Sequence, residues 1–230
     1  MKLELLTALN EERAARRAAI VVTDMSSGVQ RLIKKHDGFG DDPLFDELDK
    51  RFRSSKSGMI EDENGQAFFL TVSVPPPRLV IIGAVHISQA LVPMAQLAGF
   101  DVSVVDPRTA FASADRFPGA DLCAEWPEAY LRDKPFDPFT AVAAVTHDPK
   151  IDDLPLQTAL SAGCFYVGAL GSRKTHGKRQ DRLLSAGVSE DAFQRIDAPI
   201  GLDIGASSPA EIAVSILGSV ISALRQKPTS

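Results

Sequence analysis

A chain of 230 residues, 44% hydrophobic and 24% charged, is long enough to bury its own core, and its composition is neither fibrous nor disordered. Two domains are the expectation at this length. The formal net charge of −5 argues against a general nucleic-acid binder, and no apolar run reaches the roughly 18 residues that a membrane span needs.

The opening "MKLELLTALNEERAARR" interrupts its apolar residues with Glu and Arg too early for a signal peptide, which leads us to expect a cytoplasmic protein. Leu3, Leu6 and Leu9 recur at helical spacing, and "AAIVVTDM" (18–25) reads as a strand entering a polar loop. In "PLFDELDKRFR" (43–53) a proline is expected at the first helical position, followed by an amphipathic helix. Asn64-Gly65 lies between two extended runs, where a type I′ hairpin turn is expected. The prolines at 75–77 form a stiff, extended run that cannot join a sheet ladder, so the domain boundary is placed there. Residues 1–74 are expected to form a small mixed α/β domain and residues 75–230 a second, larger one.

After the prolines, strands are predicted at 79–82, 102–105, 121–124, 141–146 and 164–167, most of them continuous apolar runs of the kind buried on both faces. Helices are predicted near 88–97, 154–161, 172–185, 190–195 and 209–225. Ser208-Pro-Ala-Glu211 is a capping box, and Ser189 caps a short helix with Val188 and Phe193 as its hydrophobic staple. The fold class is therefore α/β: a Rossmann-like, mostly parallel sheet with helices on both faces.

Ligands of such sheets bind outside the carboxyl ends of the strands. The first strand is followed by Gly83, Ala84, Val85, His86 and Ser88, where a dinucleotide fingerprint would have three glycines and this chain keeps one. Val85 puts a branched side chain where backbone normally approaches a pyrophosphate, while Ser88 can offer a hydroxyl at a helix start. The second strand ends at Asp106, with Arg108 beyond; an acid at that spacing can accept hydrogen bonds from a ribose diol. Thr146, His147 and Asp148 follow the fourth strand. Gly168, Gly171, Ser172, Arg173 and Lys174 follow the fifth, as glycines and cations suited to an oxyanion. Gly201, Asp203 and Gly205 precede the last helix. All of these are expected to bind a cofactor in one crevice. His86, His147 and His176 all fall in these loops, but no histidine pair has structural-zinc spacing, and no metal site is assigned. Cys123 and Cys164 lie in apolar strands and read as core residues.

The pieces "GAVHISQAL", "VVDPRTAF", "RFPGADL", "VTHDPKIDD", "FYVGALGSRKTHGKR" and "PIGLDIGASSPAEIAVSIL" together resemble the XdhC/CoxI maturation factors of molybdenum hydroxylases such as xanthine dehydrogenase and carbon monoxide dehydrogenase. The resemblance covers nearly all of 75–225. It implies a Rossmann-like domain that binds the molybdenum cofactor, protects it while a sulfido ligand is installed, and passes it to an apo-hydroxylase. It further implies a homodimer and a sulfur donor as partner. Many members read G-A-G-H-V-G in the first turn; Gly83-Ala-Val-His-Ile-Ser88 is similar to a shorter, CoxF-like branch, and the chain lacks the Gly-Gly-Cys element of longer members. The cytosine dinucleotide form of the cofactor would suit the basic loops and Asp106. The alternative from another class is an NAD(P)-dependent oxidoreductase using the same crevice, with NAD(P) or ADP as ligand; a third is an interaction module that binds nothing there.

Overall fold

The computed structural model describes residues 2–225; Met1 and residues 226–230, which include the end of the expected second domain, lie outside the described residues. The chain divides between Pro75 and Pro76 into two compact units.

In the first unit, helix α1 (Leu3–Ala14) is followed by strands β1 (Ala19–Asp24) and β2 (Gln30–Lys34), helix α2 (Phe45–Ser54), and strands β3 (Gly58–Glu61) and β4 (Ala67–Ser73). The sheet is antiparallel in the order β2-β1-β4-β3. Its central strand β1 buries both faces: Ala19 and Val21 pack with Leu9 of α1, while Ile20 and Val22 point the opposite way. Two expectations are corrected. Pro43 precedes α2, whose N-cap is Leu44. The β3–β4 turn has Gly65 at φ +78° but Asn64 outside the left-handed region, so it is not type I′. Instead the Asp62 carboxylate accepts from the amides of Asn64 and Gln66 at 2.9 and 2.8 Å, which fixes a three-residue loop ending on glycine.

The second unit alternates strand and helix: β5 (Arg78–Ile82), α3 (His86–Leu97), β6 (Asp101–Val105), β7 (Asp121–Cys123), α4 (Pro127–Asp133), β8 (Thr140–Ala144), α5 (Pro149–Ser161), β9 (Tyr166–Ala169), α6 (Arg173–Ser185), α7 (Glu190–Phe193), β10 (Ile196–Asp197) and α8 (Pro209–Arg225). All six strands are parallel, in the order β10-β9-β8-β5-β6-β7. Alternation along β5 sorts the core into two layers. Leu79 and Ile81 join the cluster with α3 and α8, which includes Leu91 and Ile216; Val80 and Ile82 join the cluster with α4 to α7, which includes Tyr130, Leu156 and Leu183. The strand order reverses at β5, so β5 and β8 send their chains to opposite faces and leave a crevice between their carboxyl ends.

The capping residues behave as their chemistry requires. Ser189 accepts from the Ala192 amide at 3.2 Å, and Glu211 reaches back to the Ser208 amide at 2.9 Å while Ser208 accepts from Glu211 N at 3.2 Å. Helix α5 starts at Pro149 rather than at 154, because Asp148 accepts from the Lys150 amide at 3.0 Å and Pro149 sits at its first turn. Strand β9 is shifted to Tyr166–Ala169, which places Gly168 inside the sheet. Helix α4 and the two-residue β10 were not anticipated.

Candidate functional site

The turn between β5 and α3 is closed by its own neighbours. Gly83 has φ +119°, and a Cβ there would lie 2.7 Å from Cγ2 of Thr146, so glycine lets β5 and the β8 loop meet. The Gly83 carbonyl accepts from Ser88 Oγ at 2.5 Å, the Ala84 amide donates to Asp106 Oδ2 at 2.7 Å, and the Ala84 carbonyl accepts from Arg116 at 3.0 Å. Asp106 is completely buried. Its second oxygen accepts from the amide and Nε of Arg108, both at 2.9 Å, while Arg108 Nη2 donates to Oδ2 at 2.7 Å. Four donors occupy a carboxylate with about four acceptor positions. Burial raises the carboxyl pKa but the Arg108 and Ala84 hydrogen bonds prevail, and it titrates below its ordinary value.

That occupancy corrects two expectations. Asp106 has no lone pair for a ribose diol; it holds Arg108. The Ser88 hydroxyl, fully buried, serves Gly83 rather than a ligand. What the turn leaves open is the start of α3: no side chain caps Val85, and the amides of His86, Ile87 and Ser88 have no acceptor among the described residues. Arg108 faces the same crevice, stacked over Phe111 at 4.8 Å and drawn by the charges of Asp148 and Asp152.

Across the crevice, His147 is held at φ +64°, an uncommon place for a residue with a side chain. Thr146 fixes it there: its hydroxyl accepts from the Asp148 amide at 3.0 Å and donates to Asp152 Oδ1 at 2.7 Å. His147 is thereby turned outward beside the β9 loop, where a Cβ on Gly171 would stand 3.8 Å from its Nδ1. Ser172 is the N-cap of α6, accepting from the Thr175 amide at 3.3 Å. Arg173 and Lys174 are exposed on the first turn of α6.

Between α5 and α6 lies a cavity of about 250 Å³, lined among others by His147, Asp152, Lys174, Lys178 and Arg179. Asp152 is 1% exposed and Arg179 2%. Arg179 donates from Nη2 to the Leu170 carbonyl at 2.9 Å, but its Nε has no partner, and neither has Asp152 Oδ2. Desolvation pushes the Asp152 carboxyl up to about 6, against the pull of Thr146 and Arg179, and lowers Arg179. Arg182 is committed to Asp153 through two bonds of 2.6 and 3.0 Å.

Residues 79–220 match the family model of the XdhC Rossmann domain, more than half of the chain. The chain belongs to the XdhC family. It is 36% identical over 148 residues to a probable xanthine dehydrogenase subunit of Bacillus subtilis (strain 168), covering 64% of this chain and 43% of that one. It is 32% identical over 148 residues to the molybdenum cofactor insertion chaperone PaoD of Escherichia coli (strain K12), covering 64% of this chain and 40% of that one. The chain thus spans less than half the length of these curated relatives. A crystal structure described as a xanthine dehydrogenase from Bacillus halodurans superposes with a TM-score of 0.64 at 26% identity, covering all of this chain and 68% of the other.

Within this XdhC domain the predicted residues divide. The β5, β6, β8 and β9 loops meet at one edge, as their positions at strand ends require. Gly168 does not face a ligand: a Cβ there would lie 2.6 Å from Ile200 and 2.7 Å from the Tyr166 hydroxyl, so its role is packing. Gly201, at φ +92°, lies against Ser215 and Ile216 of α8 and donates to Asp197 at 3.1 Å. Asp203 and Gly205 are exposed, with open space around Gly205. His176 stacks on Phe193 at 4.7 Å and belongs to the helix layer. Asp152, Arg179 and Arg116 were missed. Burial raises the pKa of both cysteine thiols, Cys164 up to about 12. Among the described residues no helix is long and apolar enough to cross a membrane.

Proposed function

We propose that this chain is a maturation factor that holds the molybdenum cofactor at the carboxyl edge of its parallel sheet and assists its modification and insertion into a molybdenum hydroxylase, such as xanthine or carbon monoxide dehydrogenase. It acts as a chaperone rather than a turnover enzyme. One observation carries the reading: in a chain of the XdhC family, donors without a partner among the described residues gather at this edge, namely the first amides of α3 and the exposed Arg173 and Lys174, which make no hydrogen bond or ion pair among the described residues. Such donors suit an anionic, phosphate-bearing ligand. The names of the Escherichia coli chaperone and the Bacillus subtilis relative support the same direction.

The residues fit the cofactor's polar end. The open amides of α3 and Arg108 suit the pyrophosphate of a cytosine dinucleotide form, and Arg173 with Lys174 suits a phosphate. The cofactor supplies the molybdenum chemistry of the hydroxylase that finally receives it; the residues here bind, orient and shield. Sulfur comes from a separate donor, and the protein works as a homodimer in the cytoplasm. The occupied Asp106 carboxylate leaves no acceptor for the ribose of any such ligand, nicotinamide, ADP or cytosine dinucleotide alike, so the reading rests on the phosphates alone.

The test is transfer. Protein loaded with isolated cofactor and mixed with apo-hydroxylase should restore hydroxylase activity faster than free cofactor does. Equal rates with and without the protein would reject the reading.

A further inference from the structure

The chain has a single tryptophan, Trp126, and it is 50% exposed. A large aromatic left in water gives up the stabilisation that its burial would bring. Trp126 follows the carboxyl end of β7; together with Pro107, which follows the carboxyl end of the neighbouring β6, and Ala129 of α4, it forms the apolar part of a cavity of about 580 Å³. Glu125, Glu128 and Arg132 stand on the same lining. All three are exposed, and neither their side chains nor the Trp126 indole N–H makes a hydrogen bond or ion pair among the described residues. Other acids of this unit are committed: Asp106 to Arg108, Asp121 to Lys134, Asp153 to Arg182. The cavity also continues the edge already described. Pro107 sits between Asp106 and Arg108, and β7 is two strand spacings, about 10 Å, from β5, whose end leads into the open amides of α3. A ligand with its phosphates on those amides and Arg108 reaches the indole with a ring one sugar away.

We propose that this cavity is a subsite for a nucleobase that carries an exocyclic amino group: the Trp126 indole stacks on the ring, Glu125 and Glu128 accept from its amino N–H, and Arg132 donates to an acceptor beside it. Stacking alone takes any base, because every base has a π-face. The acids select. A carboxylate is satisfied by an amino group and repelled by an atom that offers only lone pairs. Cytosine, adenine and guanine each carry an amino group next to a ring acceptor; uracil has none, and presents two carbonyl oxygens instead. Three bases share the required chemistry, and the arms of the test distinguish them. The inference rests on reading this edge as a phosphate site, and deepens it by assigning the other end of the ligand.

Because the indole is the only one in the chain, its fluorescence reports occupancy directly. The intact protein is titrated with cytidine, adenosine, guanosine and uridine diphosphates and with inorganic pyrophosphate, following fluorescence and heat together. At least one amino-bearing diphosphate should quench the indole and bind about tenfold more tightly than uridine diphosphate; the tightest of the three names the base. Pyrophosphate should bind without changing the fluorescence. Trp126→Ala, an exposed change, should weaken the preferred nucleotide about tenfold and leave pyrophosphate as it was. Trp126→Phe keeps a stacking face and should recover most of that loss. Glu125→Gln combined with Glu128→Gln puts amide donors where the acids stood, so uridine diphosphate should gain and the preference should shrink. Uridine diphosphate binding as tightly as the other three, or nucleotide affinity unchanged by Trp126→Ala, overturns the proposal. Either result leaves pyrophosphate binding and cofactor transfer untouched, so the two readings fail separately.

Discussion

Two neighbouring places on the same sheet edge use their polar groups in opposite ways. At the β5–α3 turn, Gly83, Ala84, Ser88 and Asp106 satisfy one another, and the acid that the sequence offers to a ligand is bound to Ala84 and Arg108. At the α5–α6 cavity, Asp152 and Arg179 are just as buried but incompletely satisfied. Burial of a charged side chain therefore does not by itself mark a site. The difference lies in which polar atoms still lack a partner after the fold has formed.

Substitutions can break this contrast. The largest expected effect is at the satisfied pole: Asp106→Ala leaves the buried Ala84 amide and the Arg108 guanidinium without their acceptor and should cost about 3–5 kcal/mol in urea unfolding. Because Asp106 titrates below its ordinary value, its contribution is present at neutral pH and is lost as pH falls through the carboxylate range. A ligand-only role would leave stability unchanged.

At the unsatisfied pole the sign reverses. Asp152 rises from 3.8 to about 6 on folding, so its ionisation favours the unfolded chain. The penalty is absent below pH 4, grows between 4 and 6, and is complete above. Asp152→Asn should therefore stabilise the protein above pH 6 by on the order of 3 kcal/mol, at about 1.4 kcal/mol per pKa unit, and do nothing near pH 4. Thermal melts across that range would show it; a gain that does not depend on pH would place the cause elsewhere.

Gly168→Ala drives a methyl into Ile200 and should cost about 1–3 kcal/mol by overpacking without altering ligand affinity, which separates the packing glycine from the binding loops. Smallest is Ser189→Ala, about 1 kcal/mol for a lost helix cap, measured by the same unfolding and neutral for any ligand.

Much of the architecture was legible because it depends on local pattern. The apolar runs of β5, β6 and β8, the capping box at Ser208 and the position of each loop at a strand's carboxyl end all follow from neighbouring residues. The direction of Asp106 was not, since spacing places the residue at a strand end but not which donors reach its carboxylate. Arg108, two residues on, decides that. Asp152 and Arg179 were overlooked because each looks like a polar position on a charged helix; only the packing of α5 beside α6 buries them around one cavity. Helix α4 is seven residues long, too short to impose a period, and β10 pairs only through Ile196 and Asp197.

The central claim is that this edge holds a phosphate-bearing cofactor, and mass spectrometry of small molecules released from freshly purified protein tests it most directly. The parent protein should release a molybdenum-associated pterin phosphate or its cytosine dinucleotide, and replacing Arg173 and Lys174 together with alanine should weaken retention by about 1–3 kcal/mol, the scale of charge-assisted hydrogen bonds, with the fold intact. Release of no pterin, or equal retention by the parent and the double variant, would contradict the account.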